Sequence, residues 1–244
     1  MDFEKSYSSE RSPVFAENIV ASSQPLATQA GIKILQNGGN AVDAALAAAI
    51  VLTVVEPTGN GLGSDAVALL ADEENIIAIN GTGYSPSGWT RERFKDNKAM
   101  PLFGWDSVTI PGVVKMWWRL SEQYGQIPFN ELFNSAINYA KNGFFVGTKV
   151  ALEWKNYYDI IRNPNDAFRQ EFSPVPNIGD WLTREKMSFT LEEIALTGYS
   201  SFYEGEIAST IVRQSKNEGG VITADDLAAY EPTFVEPIKI CFRH

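Results

Sequence analysis

An α+β fold, rich in helix and poor in strand, is what this sequence predicts, on three observations. Residues 41–55 are apolar almost all round and rich in alanine, the composition of a helix with close neighbours on several sides. Two short β-like runs, Ala66 to Leu70 and Ile76 to Asn80, flank the polar group Asp72-Glu-Glu-Asn75, which is a hairpin signal. After Pro111-Gly112 the apolar residues recur mostly at helical spacing, with alternation returning only near the end.

Size and composition bound the rest. The 244 residues suit one large domain or two small ones and can bury a substantial core. The net charge of −10 argues against nucleic acid and an anionic membrane surface as partners, because both recruit cations. Cys241 and His244 are the sole residues of their types, so no internal disulfide forms and no zinc, haem or other cofactor is expected. A Ser-His-Asp site would have to be built from the last residues of the chain. Residues 1–18 read as a polar arm, and the polar run from Met1 to Glu10 lacks the apolar core of a secretory signal, which predicts a cytoplasmic protein.

Taken in order, the first helix runs from about Leu26 to Asn37. Ser22 or Ser23 is expected to cap it, with Pro25 in the first turn, where its missing N–H costs nothing. Leu26, Ala30, Ile34 and Leu35 fall on one face, and Gly38-Gly39 supplies the left-handed stop. Asn40 then opens the second helix, with Asp43 three residues on completing a capping box. About 20 apolar residues are needed to cross a bilayer; Ala41 to Val55 is shorter and contains Asp43, so it is a core helix, expected to pack against the first and against a sheet containing Ala66 to Leu70. Gly59, Gly61 and Gly63 follow a helix and precede a strand, the reverse of the order in a phosphate loop, and read as a tight connection.

Asn80-Gly-Thr-Gly-Tyr-Ser-Pro86 cannot be regular structure. Its small residues are expected to leave backbone N–H groups exposed at a strand end, where ligands commonly bind; an ordinary connection is the equal alternative. Arg91 and Arg93 read as solvated charges on a helix face, with charge supplied to this loop from another direction as the lesser alternative. Val113 to Tyr124 is a helix with Val113, Val114, Trp117 and Leu120 inward, and Trp117-Trp118 is core and half-buried surface. A helix burying Leu132, Phe133, Ala136, Ile137 and Ala140 stops at Gly143. Another, Thr148 to Ile161, turns Val150, Trp154, Tyr157 and Ile161 inward. Arg162 to Trp181 reads as a long loop. Thr190-Leu-Glu-Glu193 reads as a capping box opening a short helix. Gly205 to Asn217 is amphipathic with Ile207, Ile211 and Val212 inward, and Thr223-Ala-Asp-Asp226 caps a further turn or two. Ile238, Ile240 and Phe242 alternate with polar residues as in a half-buried final strand.

Val20-Ala-Ser-Ser-Gln-Pro-Leu-Ala27, Gly38-Gly-Asn-Ala-Val-Asp-Ala-Ala45 and Val55-Glu-Pro57 together resemble the signature region of the γ-glutamyltranspeptidase family. So do Tyr124-Gly-Gln-Ile-Pro-Phe129, Phe202-Tyr-Glu-Gly-Glu-Ile-Ala208 and the stretch from Gly219-Gly-Val-Ile to Tyr230, and the resemblance covers Ile19 to Pro237. It implies an αββα sandwich of the N-terminal-nucleophile hydrolase type, of which residues 19–244 are the helix-rich N-terminal part of the large subunit. It further implies a precursor that cuts itself. The N-terminal threonine of the small subunit then becomes the nucleophile, with its own amine as base. That threonine lies beyond residue 244 in relatives, so no catalytic residue is expected here. The expected partner is a C-terminal half or small subunit that carries it.

The implied activity is amide hydrolysis or acyl transfer, with Asn80, Thr82, Gly83 and Tyr84 on the substrate side. Transpeptidases proper read approximately Asp-x-Arg-Glu-x-Ala-Pro here, and the arginine grips the substrate α-carboxylate. Anchored on Pro86, Thr82 stands where that arginine would, and a hydroxyl cannot form the bidentate contact. The pattern is similar to divergent members that act on other small acyl amides, oxamate among them, and predicts a small acyl amide as substrate. The other reading is a noncatalytic binding or scaffolding protein that keeps the fold.

Overall fold

The computed structural model describes residues 13–72, 75–160 and 171–241. In chain order its elements begin with α1 (Pro25–Gln36), α2 (Ala41–Val55), β1 (Ala66–Asp72), β2 (Asn75–Gly81) and a 3-10 turn (Trp105–Ser107). Next come α3 (Val113–Tyr124), a second 3-10 turn (Phe129–Phe133), α4 (Asn134–Asn142), β3 (Phe144–Phe145) and α5 (Thr148–Ile160). The order closes with β4 (Trp181–Leu182), α6 (Glu185–Thr197), α7 (Ser200–Tyr203), α8 (Glu206–Asn217), α9 (Ala224–Ala228) and β5 (Thr233–Val235). The chain divides into two compact units: residues up to Gly61 with Glu131–Glu192, and Leu62–Asn130 with the residues from Glu193 on.

The first unit is built on α1, α2 and α4, with α2 packed against both others. α2 has the predicted bounds and the predicted capping box: the Asp43 N–H donates to Asn40 Oδ1 and the Asn40 N–H to Asp43 Oδ2, each at 3.0 Å. The two helices approach closely at Gly31, where an added Cβ would stand 2.9 Å from the Ala44 carbonyl oxygen and 2.8 Å from a Val20 methyl. Backbone cannot yield as a flexible side chain can. Gly31→Ala is therefore expected to cost about 1–3 kcal/mol by overpacking, read as a lowered midpoint in urea; a parent-like midpoint would mean the helices do not meet there.

The C-terminal end of α2 is tied down by charge. Glu56, buried, accepts from Ser23 Oγ at 2.8 Å and pairs with Lys149 Nζ at 3.2 Å. The Glu56 hydrogen bond is the main cause that raises the Lys149 ammonium above its ordinary value. Arg184 donates to the Thr53 carbonyl at 2.8 Å and to Glu171 at 2.6 Å. The cap of α1 departs from expectation. Gln24, and not Ser22 or Ser23, is the N-cap, its side-chain oxygen accepting the Leu26 and Ala27 N–H groups. Ser23 is drawn to Glu56 instead, while the Ser22 hydroxyl donates to the Gln24 carbonyl.

Other departures have similarly local causes. α6 starts at Glu185, so Thr190 lies inside it and its hydroxyl donates back to the Lys186 carbonyl, which is what a mid-helix threonine does, and it caps nothing. Tyr157 in α5 is exposed, although Val150 and Trp154 are buried. Ile137, Ile207, Ile211 and Val212 are only half-buried. Ile161, His244 and residues 162–170 of the predicted loop lie outside the described residues, as does the arm up to residue 12.

The second unit centres on a three-stranded antiparallel sheet in the order β1-β2-β5. The predicted hairpin forms, with Ala66 opposite Gly81 and Leu69 opposite Ala78. β5 adds to the far side of β2, with Ala78 opposite Val235 and Asn80 opposite Thr233. The last strand is thus Thr233–Val235; residues 238–241 are not in a strand, Ile238 and Ile240 are exposed, and Phe242 is outside the described residues. Thr-Phe-Val finds a ladder on β2, and Pro237, which has no N–H to donate, stands two residues beyond it. One sheet face receives α3, whose predicted stripe Val113, Val114, Trp117 and Leu120 is buried, with Met116 against Gly81. The other face carries Val67 (72% exposed), Leu69 (70% exposed), Ala71, Ile76 and Val235. That face also holds Asn80, Thr233 and buried Ala78; it is largely apolar and open along β1 and at Ile76 and Val235.

Candidate functional site

The candidate substrate loop begins where β2 ends. Asn80 Oδ1 accepts the Thr82 N–H at 2.9 Å, a local turn that leads the chain out of the ladder. Gly83 has φ +81°, and a Cβ there would stand 1.9 Å from the Ile110 carbonyl oxygen, so only glycine fits. Gly112 is just as constrained, since its Cβ would stand 1.9 Å from the Gly81 carbonyl oxygen. These two contacts press the loop against Ile110-Pro-Gly112. The Ile110 N–H donates to the Tyr84 carbonyl at 2.9 Å, and Thr109 Oγ1 to the Thr82 carbonyl at 3.4 Å. Ser64 O accepts the Gly112 and Val113 N–H groups, each at 3.1 Å, which satisfies the start of α3.

Tyr84 donates its hydroxyl to the Glu231 carbonyl at 2.6 Å and sets its ring against Tyr230, 5.3 Å between centroids. The Gly83 N–H faces the Tyr230 hydroxyl. Burial, first, and then the nearby Tyr84 and Glu231 push the Tyr230 hydroxyl well above the ordinary tyrosine range. Burial does the same to Tyr203. Both remain neutral hydroxyls at physiological pH.

These contacts narrow the expectation of exposed backbone donors: the Thr82 N–H is taken by Asn80, and the Ser87 N–H just beyond by Asp226. Of the four predicted residues, Asn80, Gly83 and Tyr84 hold the loop in place, and Thr82 is the one whose side chain stands exposed without such a tie. Arg91 and Arg93 lie in turns, not on a helix. Arg93 donates to Asp106 at 2.7 Å and to the Gly219 carbonyl at 2.8 Å, so it ties the surface together. Sequence reasoning missed Lys115, Tyr203 and Tyr230. Lys115 lies in the first turn of α3, between apolar neighbours, and helical periodicity gives no reason to bury a lysine there.

Just after the loop, the Ser87 N–H donates to Asp226 Oδ1 at 3.0 Å, and Asp226 completes the predicted capping box with Thr223 at the start of α9. Burial alone would raise the Asp226 carboxyl, but hydrogen bonds from Ser87 and Thr223 together hold it below its ordinary value of 3.8. A depressed carboxylate adds stability above its unfolded value and loses it as pH falls through the folded one. The stability gap between the parent and Asp226→Asn should accordingly be full near neutral pH and close below pH 3.8, measured by urea melts across pH. A gap independent of pH would show that the charged form is not favoured.

Among the described residues no group of three or more His, Cys, Asp or Glu side chains could hold a metal ion. No described helix is long and apolar enough to cross a membrane.

The comparisons with known proteins agree with one another. The sequence profile described as Gamma-glutamyltranspeptidase matches residues 27–244. The Bacillus subtilis protein named glutathione hydrolase-like YwrD proenzyme is 34% identical over 240 residues, 96% of this chain and 45% of that protein. The Escherichia coli glutathione hydrolase proenzyme is 33% identical over 237 residues, 93% of this chain and 41% of that protein. Among solved structures, a cephalosporin acylase from Bacillus halodurans superposes with TM-score 0.92 at 40% identity, covering 97% of this chain and 46% of that one. The γ-glutamyltranspeptidase of Pseudomonas nitroreducens gives TM-score 0.87 at 28% identity, covering 94% of this chain and 70% of that one. The chain therefore spans less than half the length of these two curated relatives. Its fold is the helix-rich N-terminal portion of the αββα N-terminal-nucleophile hydrolase type. From a profile match over nearly its whole length, and relatives at this identity, it follows that the chain belongs to the gamma-glutamyltranspeptidase family.

Proposed function

We propose that this chain is the N-terminal part of the large subunit of an amide hydrolase or acyltransferase, and that the nucleophile is an N-terminal threonine on the remainder of the protein. Family membership supports the reaction class. The two curated relatives named above are proenzymes, and more than half of the length of each lies outside the match, which leaves room for a partner bearing the nucleophile. The open face of Val67, Leu69, Ile76 and Val235 supports that partner physically, because apolar sheet faces of this kind are ordinarily covered. The substrate is a small acyl amide. Exposed Thr82, on a loop fixed by Asn80, Gly83 and Tyr84, is the observation that carries this reading: it offers a hydroxyl where a free α-carboxylate would require a cation. Side-by-side turnover of a small acyl amide and a γ-glutamyl amide by the complete protein tests it, with preference for the former expected. No turnover of either would favour a noncatalytic binding role.

A further inference from the structure

We propose that Tyr230 and Lys115 are positioning residues for the Thr82 loop: they set where Thr82 stands, and so the affinity for substrate, without touching it. The proposal rests on the reading of that loop as the substrate side of the site. Tyr230 is buried, and its hydroxyl lies between two segments, faced by the Gly83 N–H and donating to the Gly112 carbonyl at 3.4 Å. Its ring stacks on Tyr203, 5.6 Å between centroids and 18° between planes. The Tyr203 hydroxyl in turn donates to the Pro111 carbonyl at 2.7 Å and accepts the Lys115 N–H at 3.2 Å. Two neutral tyrosines thus hold successive carbonyls of the Pro111-Gly112 segment against which the loop is pressed.

Lys115, 3% exposed, grips the same place from below. Its Nζ donates to the Tyr230 carbonyl at 2.7 Å and pairs with Glu231 Oε1 at 2.8 Å. It stands 4.7 Å from the Tyr199 ring centroid and 5.6 Å from that of Tyr203. A buried ammonium is costly unless paired and hydrogen-bonded, and here a carboxylate, a carbonyl and two ring faces meet it. The residue it fixes, Glu231, is the one whose carbonyl receives the Tyr84 hydroxyl. Beside the Thr109 and Ile110 hydrogen bonds, three attachments of the loop end on residues that Lys115 or the tyrosine pair holds: Gly81 against Gly112, Gly83 beside Tyr230, and the Tyr84 hydroxyl on Glu231. An apolar residue at 115 would fill the space but specify no single arrangement. A satisfied polar network does.

The test uses the complete protein. Tyr230→Phe keeps the ring and removes the hydroxyl. Losing the long contact to Gly112 should raise KM for the amide substrate about two- to threefold, with kcat nearly unchanged, and speed hydrogen exchange at the Gly83 amide by a similar factor. Exchange in α1 and α2 should stay as in the parent. Lys115→Met should raise KM in the same way. Should that variant fail to fold, Tyr84→Phe, which deletes the hydroxyl to Glu231 and keeps the ring, reads the same relay from the loop side. A lowered melting temperature with KM and Gly83 exchange both parental would overturn the proposal, leaving these residues a purely structural role. If the parent turns over no amide at all, the reading of the loop fails, and Gly83 exchange by itself then decides for or against positioning.

Discussion

Residues 1–244 purified alone show no amidase activity and do not persist as a monomer: that is the expected result, on two independent grounds. Chemically, the Thr53 and Thr28 hydroxyls are spent on structure. Thr53 Oγ1 donates to the Ile50 carbonyl at 2.7 Å, and Thr28 shares a hydrogen bond with Ser22 at 2.7 Å. Neither has a base beside it, and the family's chemistry calls for a threonine whose own amine serves as base. Structurally, β1 and β5 are both edges of the described sheet, and one face of that sheet exposes Val67, Leu69, Ile76 and Val235. Any backbone group on those edges that becomes buried without a partner costs roughly 1–3 kcal/mol. A whole domain has only about 5–15 kcal/mol of net stability to set against this. An open apolar face beside unpaired edges also invites self-association. Sedimentation should therefore show aggregates or oligomers, and a dye that reports exposed apolar surface should bind. Co-expression with the proposed nucleophile-bearing partner should restore both solubility and turnover. A well-behaved monomer that hydrolyses amides would refute the proposed division of labour.

Thr82→Arg should have the other large effect, on specificity. Thr82 is exposed, so an arginine fits there without overpacking, and the Asn80 acceptor that holds the residue 82 N–H is retained. A charge-assisted contact to a substrate carboxylate contributes about 1.5–3 kcal/mol, which is roughly 10- to 150-fold in kcat/KM for a γ-glutamyl amide. Turnover of a neutral small acyl amide should fall or stay level, because it has no carboxylate to meet the new cation. Efficient γ-glutamyl hydrolysis by the parent would sink the idea, as would a variant whose ratio of the two activities does not move.

By itself the sequence determined the elements whose signals are local. Asn40 and Asp43 make a capping box within one turn, and the alanine-rich run behind them is a core helix with the bounds read from its composition. The pairing of β1 with β2, the α3 stripe and the Thr223 box were legible for the same reason: each depends on residues three or four apart, or directly opposed. The family resemblance was legible because its motifs are long and contiguous. Tertiary structure decided what depends on competition between distant partners. Ser23 has the chemistry of a cap, but Glu56, 33 residues away, takes its hydroxyl, and the cap passes to Gln24. The last strand fell to Thr233–Val235 because β2 offers a ladder there. Only the fold shows that Asn80 takes the Thr82 N–H, and burial of Lys115 made sense only once Glu231 and two tyrosine rings stood around it. A hydrogen-bond donor shows its chemistry in the sequence, but its partner is fixed only when the fold brings distant acceptors within reach.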